Sequence, residues 1–301
     1  MAFTEQASRD VRDRAMRWLD HRRVDWVGFN DLAVFEYDGH RLPLMDPQRG
    51  IRKPAGMDSA LSIRTVYTAP DAMPPYADEA GSDGLTRYKY RGTDPEHPEN
   101  RALRRAYQDQ LPLIWFFGVA PGSYLPIYPV WVAADEPEQL QFILALDEGQ
   151  RLITPGHALS EDARRYVERL SKARLHQPIF RARVLAAYQS RCTICSLRHA
   201  ELLDAAHILP DGHPRGLPVV PNGLAMCKIH HAAYDANIVG IRPDHVVEVR
   251  SDILQEVDGP MLRHGLQELS GWRLQVPASR LARPDRDGLE ERYETFRTLS
   301  A

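Results

Sequence analysis

The chain has 301 residues, 43% hydrophobic and 26% charged, a length that at about 150 residues per domain suggests two domains, each able to bury its own core. With 38 Lys and Arg against 41 Asp and Glu, the formal charge of -3 excludes a uniformly basic coat, so any nucleic acid has to meet a local patch. No run approaches the roughly 20 apolar residues of a membrane helix and the N-terminus carries no apolar segment of signal-peptide length, so a soluble, cytoplasmic protein without a membrane partner is expected.

In chain order, residues 4–22 place Val11, Ala15, Trp18 and Leu19 on one helical face, which predicts an amphipathic helix. From 26 to 132 the pattern changes to short apolar or alternating runs at 32–37, 61–67, 113–119 and 128–132, separated by Pro, Gly and Asp clusters. That half reads as a twisted sheet or barrel, with a helix near 100–107 and a last strand at 140–146. Ser160, followed by Glu161 and Asp162, suits the first turn of a polar helix over 160–170 that connects two domains. A second helix over 180–188 leads into a cysteine cluster, and the charged, proline-containing tail from about 252 has no assigned role.

All three cysteines lie between 192 and 227, too few for a disulfide framework and clustered as in a metal site. Cys192 and Cys195 form a CxxC; after 31 intervening residues Cys227 and His230 form a CxxH, so two ligand pairs can close a tetrahedral Cys3His site. Thiolate and imidazole ligands suit Zn²⁺, and a closed set of four leaves no position for substrate, so the zinc is expected to be structural. Such an ion contributes on the order of 10 kcal/mol to folding a small segment.

Asp204, His207, Asn222 and His231 stand beside those pairs, and the zinc requires none of them. The lead-in FRARVLAAY, then CTIC, LLDAAHILP and PNGLAMCKIHHAAYD, resemble the HNH nuclease family over roughly 178–242. That family builds a β-hairpin followed by a helix around one catalytic metal. The resemblance implies that His207 is the general base for the attacking water, a role suited to an imidazole that is neutral near pH 7. It implies further that His231 is the helix ligand of a catalytic Mg²⁺ or Mn²⁺, which acts as a Lewis acid on the phosphodiester. Asn222 would orient the hairpin or contribute near the metal. His230 and His231 project about 100° apart on a helix; CxxH favours His230 for zinc and the HxxYD spacing favours His231 for the catalytic ion, although the two assignments can be exchanged. Many members carry Asp or His directly before the catalytic His, where this chain has Ala206. Asp204 is the candidate replacement, beside its reading as a strand-end hydrogen-bonding residue; Asp235 is a weaker candidate that reads more readily as a helix-stabilising or structural carboxylate, and His199 and His213 read as exposed loop residues. Between 172 and 231 eight Lys and Arg face three Asp and Glu, an excess suited to a phosphate backbone.

Upstream, RGIRKPAGMDSALSIRTVY, YADEAGSDGLTRYKYRGTD and ENRALRRAY resemble the SRA domain over about 30–132, a curved β-barrel that flips a modified cytosine out of duplex DNA. Such a pocket needs two flat faces and a carboxylate that accepts from the cytosine N4 amine. The resemblance implies Tyr76 and Tyr90 as the faces and Asp78 or Glu79 as the acid, Glu79 being favoured by position. Tyr88 shares a strand face with Tyr90, and these tyrosines read equally as strand aromatics filling a barrel. Arg49, Arg52, Lys53 and Arg64 are suited to tracking phosphates.

The expected fold is therefore α+β: an SRA/PUA-like β-barrel with flanking helices over 1–150, a helical linker over 151–178, and a ββα-metal (HNH) nuclease domain with structural zinc over 179–301. The implied function is a modification-dependent restriction endonuclease acting on double-stranded DNA that carries 5-methylcytosine or a related base. One buried methyl gives only about 0.8 kcal/mol of preference, and each HNH site cuts one strand, so a homodimer is expected. The competing readings are a non-catalytic zinc-containing DNA-binding protein, and an HNH nuclease that reads another mark such as phosphorothioate.

Overall fold

In the computed structural model, which describes residues 3–22, 25–69, 85–153 and 160–300, helix α1 (Glu5–Arg22) forms where its apolar spacing predicts and buries Val11, Ala15 and Leu19. Arg12 is buried on the same face with no carboxylate partner among the described residues; its guanidinium donates instead to the carbonyls of Ser8, Ala60 and Pro112 and the hydroxyls of Ser8 and Ser59. Those bonds tie α1 to two later segments and satisfy a group whose unpaired burial would cost several kcal/mol. The chain divides into two compact units, Met1–Ile179 and Phe180–Ala301. Among the described residues no helix is long and apolar enough to cross a membrane.

In the first unit β1 (Val27–Gly28) leads into α2 (Phe29–Leu32), then a hairpin of β2 (Glu36–Tyr37) and β3 (His40–Arg41). The strand expected over 32–37 is thus only partly extended, because the Asp31 carboxylate accepts from the Gly28 amide at 3.2 Å and closes a helical turn there. The main sheet takes β4 (Ile51–Arg52), β5 (Ser62–Thr65), β6 (Thr86–Lys89), β7 (Leu113–Ala120), β8 (Ser123–Glu136) and β9 (Gln141–Ala145), with α3 (Pro98–Gln108) between β6 and β7. Its order is β4-β5-β7-β8-β9-β6, with β1 beside β8 and only the β5–β7 pair parallel.

Strand β7 explains the apolar run over 113–119. By the period of two, Leu113 and Trp115 enter one core, with Leu103, Val130 and Phe142, while Ile114 and Phe116 enter the other, with Val11, Leu32 and Leu44. The 14-residue β8 pairs with β7 through its first half and β9 through its second, and a register shift between Val132 and Ala134 lets it bend. The sheet curls until the Tyr88 hydroxyl on β6 donates to the carbonyls of Gly50 and Arg64 at the opposite edge, 3.0 and 3.2 Å away. Among the described residues the strands form an open path rather than a closed ring, so the expected barrel is here a curled sheet.

Helix α4 (Glu161–Ser171) is capped by Ser160, whose side chain accepts from the Ala163 amide. It is not a free connector: Val167 packs with Leu85 and Ile143, and the Tyr166 hydroxyl donates to Asp147. Its continuation into α5 (Gln177–Ala187) carries the chain across the boundary between the units. The second unit then places the hairpin β10 (Leu203–His207) and β11 (Gly223–Cys227), helix α6 (Lys228–Asp235), the pair β12 (Val239–Ile241) and β13 (Val247–Val249), and helices α7 (Ser251–Gln255), α8 (Pro260–Gly265) and α9 (Arg286–Ser300).

Candidate active site and metal centre

Strands β10 and β11 pair antiparallel from Leu203↔Cys227 to His207↔Gly223, and α6 follows β11 without an intervening loop. This hairpin and helix bring Cys227 and His230 to Cys192 and Cys195, so one donor atom from each of the four lies within 4.8 Å of the others. His230 Nδ1 is 3.4 Å from the Cys192 sulfur and 3.2 Å from that of Cys227, while its Nε2 donates to the Gly265 carbonyl at 2.9 Å. The outer hydrogen bond fixes the tautomer that presents Nδ1 as a ligand. Bonds from the Cys195 and Cys227 thiols lower the Cys192 thiol below its ordinary range, and the same contact with Cys192 raises that of Cys195. The cluster can bind zinc, and it takes His230 rather than His231.

His231 lies on another side of α6. Its Nδ1 is 3.6 Å from Asp204 Oδ2 and its Nε2 is 3.3 Å from Asp235 Oδ2, so either ring nitrogen has a carboxylate beside it. Asp204 raises the His231 pKa above its ordinary value, and His231 in turn lowers that of Asp204. The other Asp204 oxygen accepts from the Ala205 amide at 2.9 Å and lies 3.6 Å from Arg181 Nε. Arg181 is held in place by donating to the carbonyls of Ala200 and Leu203. By the period of two, Asp204 shares a strand face with position 206, where Ala206 stands. The donor set of one carboxylate and one imidazole suits a hard divalent cation such as Mg²⁺ or Mn²⁺. Asp204 and His231 would hold it, with Asp235 orienting the ring.

His207 ends β10, opposite Gly223. Its ring stacks on Phe180, with centroids 4.1 Å apart and planes at 22°. Gly223, its partner across the hairpin, permits this approach: a Cβ there would lie 2.4 Å from Val184 Cγ2 and 3.0 Å from two Phe180 ring carbons. Asn222 is buried and clamps the intervening loop, accepting from the Leu209 amide at 2.9 Å and donating to the carbonyls of Leu209 and Leu217.

Residues 192–242 match the HNH endonuclease family. The chain carries an HNH endonuclease domain. That domain makes it a nuclease acting on DNA, with the hairpin and α6 as its ββα core. No curated protein matches the sequence. Among solved structures, it is similar to the modification-dependent TagI restriction endonuclease at 19% identity and a TM-score of 0.30, covering 82% of this chain and 85% of that one. It is also similar to the type IV phosphorothioation-dependent restriction endonuclease ScoMcrA at 14% identity and a TM-score of 0.23, covering 83% of this chain and 52% of that one.

Several sequence expectations change around the HNH domain. His213 is not simply an exposed loop residue: its Nε2 is 3.0 Å from Glu291, and Arg215 bonds the same carboxylate, so α9 staples the loop between β10 and β11. His199 is exposed as expected. Phe180, Arg181 and Glu291 went unassigned; the first two stand in the FRARVLAAY lead-in, whereas nothing near Glu291 marks it. In the first unit Tyr90 is 2% exposed, its ring centroid 4.6 Å from that of Phe142 and its hydroxyl bonded to Asp135, with Arg104 donating to it. That places Tyr90 in the core instead of on an open base-stacking face. Tyr76, Asp78 and Glu79 lie outside the described residues. Arg52, Lys53 and Arg64 donate to backbone carbonyls of Pro43, Met57 and Asp46, so these three staple loops, while Arg49 stays exposed.

Proposed function

We propose that this protein is a modification-dependent restriction endonuclease that hydrolyses phosphodiesters in double-stranded DNA carrying 5-methylcytosine or a related modified base. The observation that carries the catalytic half is a second set of donors, Asp204 and His231, beside a Cys3His cluster already complete without them. A protein that only bound DNA through a zinc-stabilised fold would not need that pair, nor an imidazole held on Phe180.

In this reading His207 takes the proton of the attacking water, with Phe180 fixing the plane of its ring. Asp204 and His231 hold the divalent ion, which supplies Lewis-acid stabilisation of the charge on the phosphate when bound. Asp235 orients His231, Asn222 holds the loop that follows His207, and Cys192, Cys195, Cys227 and His230 hold structural zinc. The region over 1–150 is the reader, the helices over 151–178 link it to the nuclease region over 179–301, and the working form is a cytoplasmic homodimer. Within the reader, base stacking falls to Tyr76 with Asp78 or Glu79 as the acid, since Tyr90 fills the core.

The test is one plasmid prepared unmodified, with 5-methylcytosine, with 5-hydroxymethylcytosine and with phosphorothioate links, incubated with Mg²⁺ or Mn²⁺. Cleavage of a cytosine-modified form alone is the expected result. Cutting only of the phosphorothioate form would keep the nuclease and replace the mark, while binding without cutting of any form would remove the catalytic reading.

A further inference from the structure

The HNH match ends at 242, yet the chain that follows returns to the active-site loop. The Asp285 amide donates to the Pro221 carbonyl at 2.8 Å, and a Cβ on Gly288 would lie 3.5 Å from Ile208 and 3.7 Å from Leu209. The stretch over 271–286 thus packs against the loop that begins after His207 and ends at Asn222. It contains four arginines and one acid.

Three of those arginines, Arg273, Arg283 and Arg286, stand on this stretch beside the turn at His245 and the loop at Pro221. Arg273 is bridged to Val246, and the Leu274 amide donates to the His245 carbonyl at 2.9 Å. His245 sits at the tip with φ 66°, and burial first, then the charges of Arg283, Arg273 and Arg286, push its pKa below the ordinary histidine value against the opposing charge of Asp244. All three residues are exposed and, among the described residues, none forms an ion pair with a carboxylate, although Arg283 Nε donates to the Pro277 carbonyl at 3.2 Å. Of the nearby acids, Asp244 pairs with Arg242 at 2.9 Å and Asp285 accepts from the Gly288 amide at 2.8 Å, while Asp287 stands exposed after Arg286. Trp272, half exposed, adjoins Arg273. Exposed arginines that hold no ion pair keep their charge available to a polyanion.

We propose that Arg273, Arg283 and Arg286 form a ridge that docks the sugar-phosphate backbone of duplex DNA beside the nuclease site. The proposal rests on the nuclease reading and adds to it a surface outside the matched domain. Backbone contacts position a duplex without reading its sequence, so the ridge serves modified and unmodified DNA alike.

The experiment measures binding of the full chain to a short unmodified duplex across a salt series, with Ca²⁺ in place of Mg²⁺. Each phosphate contact contributes about 0.9 to the slope of log affinity against log salt. The R273Q/R283Q/R286Q variant is expected to lower that slope by about 2 to 3, so a fourfold rise in salt costs it about 40-fold less affinity than it costs the parent chain. Lysine at the same three positions restores the slope, because a point charge suffices for a phosphate. Zinc content and melting are checked in parallel; should the triple variant lose its zinc, each single glutamine variant is expected to lower the slope by about 1. An unchanged slope in folded glutamine variants overturns the ridge. Cleavage of modified plasmid by the parent chain is followed separately, so a failure of the nuclease reading is seen in that assay and a failure of the ridge in the slope.

Discussion

Gly223→Ala probes the contact between Phe180 and His207 with one methyl group. The added Cβ would stand 2.4 Å from Val184 Cγ2 and 3.0 Å from two ring carbons of Phe180. The first contact falls short of ordinary carbon–carbon separation by about 1 Å. Both neighbours are buried on α5, and Gly223 is held in the ladder opposite His207, so the strain passes to the aromatic ring. Overpacking of this kind costs about 1 to 3 kcal/mol, expected as a fall of several degrees in the melting transition that accompanies zinc release. Displacing the ring also tilts the imidazole stacked on it, and a misplacement near 1 Å can slow catalysis about 100-fold. The assay pairs single-turnover cleavage with DNA binding: the rate should drop while affinity holds. Phe180→Leu in the same chain should recover part of the stability and none of the rate, because the smaller side chain makes room but supplies no flat face. A Gly223→Ala protein that melts and cuts like the parent would refute the placement of Phe180 against His207.

Cys227→Ala should reduce zinc content and the stability of the second unit together, since the cluster spans β11, α6 and the loop before β10; a fully folded, zinc-free variant would count against a structural site. Asn222→Ala leaves the buried amide and carbonyl of Leu209 without this partner and removes one of the two bonds to the Leu217 carbonyl, and equilibrium unfolding should show a loss of about 1 to 3 kcal/mol. Asp204→Asn should weaken Mn²⁺ binding at the second site, measured by calorimetry on zinc-loaded protein, with zinc content unchanged; equal Mn²⁺ affinity would remove Asp204 as a ligand. Tyr90→Phe should lower stability by about 1 kcal/mol through loss of the Asp135 and Arg104 bonds, yet keep the preference for modified DNA.

The metal centre was legible because its ligands sit on short contiguous segments whose spacing is itself the geometry: a CxxC turn and a CxxH that joins a strand end to a helix start. The adjacent histidines were separable for the same reason, as one helical step turns His230 toward sulfur and His231 toward Asp204. Asp204 was legible as a candidate but not as a choice. Its distance to His231 follows from the β10–α6 packing, which no local pattern records. Contacts from beyond 242 were invisible for a stronger reason. Gly265 reaches His230 with a backbone carbonyl, and Glu291 reaches His213 with a carboxylate that resembles any other on a charged helix. Neither contact has a residue-type signature.

The first unit shows the opposite difficulty, in which residue types carry too much meaning. Tyr88 and Tyr90 stand two apart beside a strand, and an aromatic pair at that spacing suits either a base-binding wall or a core. What decides is where each hydroxyl goes. Tyr88 donates to two carbonyls at the far edge of the sheet, so its role is to draw the curl together. Tyr90 meets Asp135 and Arg104, a buried polar network that satisfies the phenol and leaves its ring on Phe142. The same holds for Arg52, Lys53 and Arg64, whose charges suggest phosphate and whose donors are spent on loop carbonyls. Donors already satisfied inside the fold have less to offer DNA. Arg273 and Arg286, exposed and with neither a carboxylate nor a carbonyl partner among the described residues, are therefore better placed to meet a phosphate backbone than the arginines that sequence alone selects, while Arg283 keeps one donor on the Pro277 carbonyl.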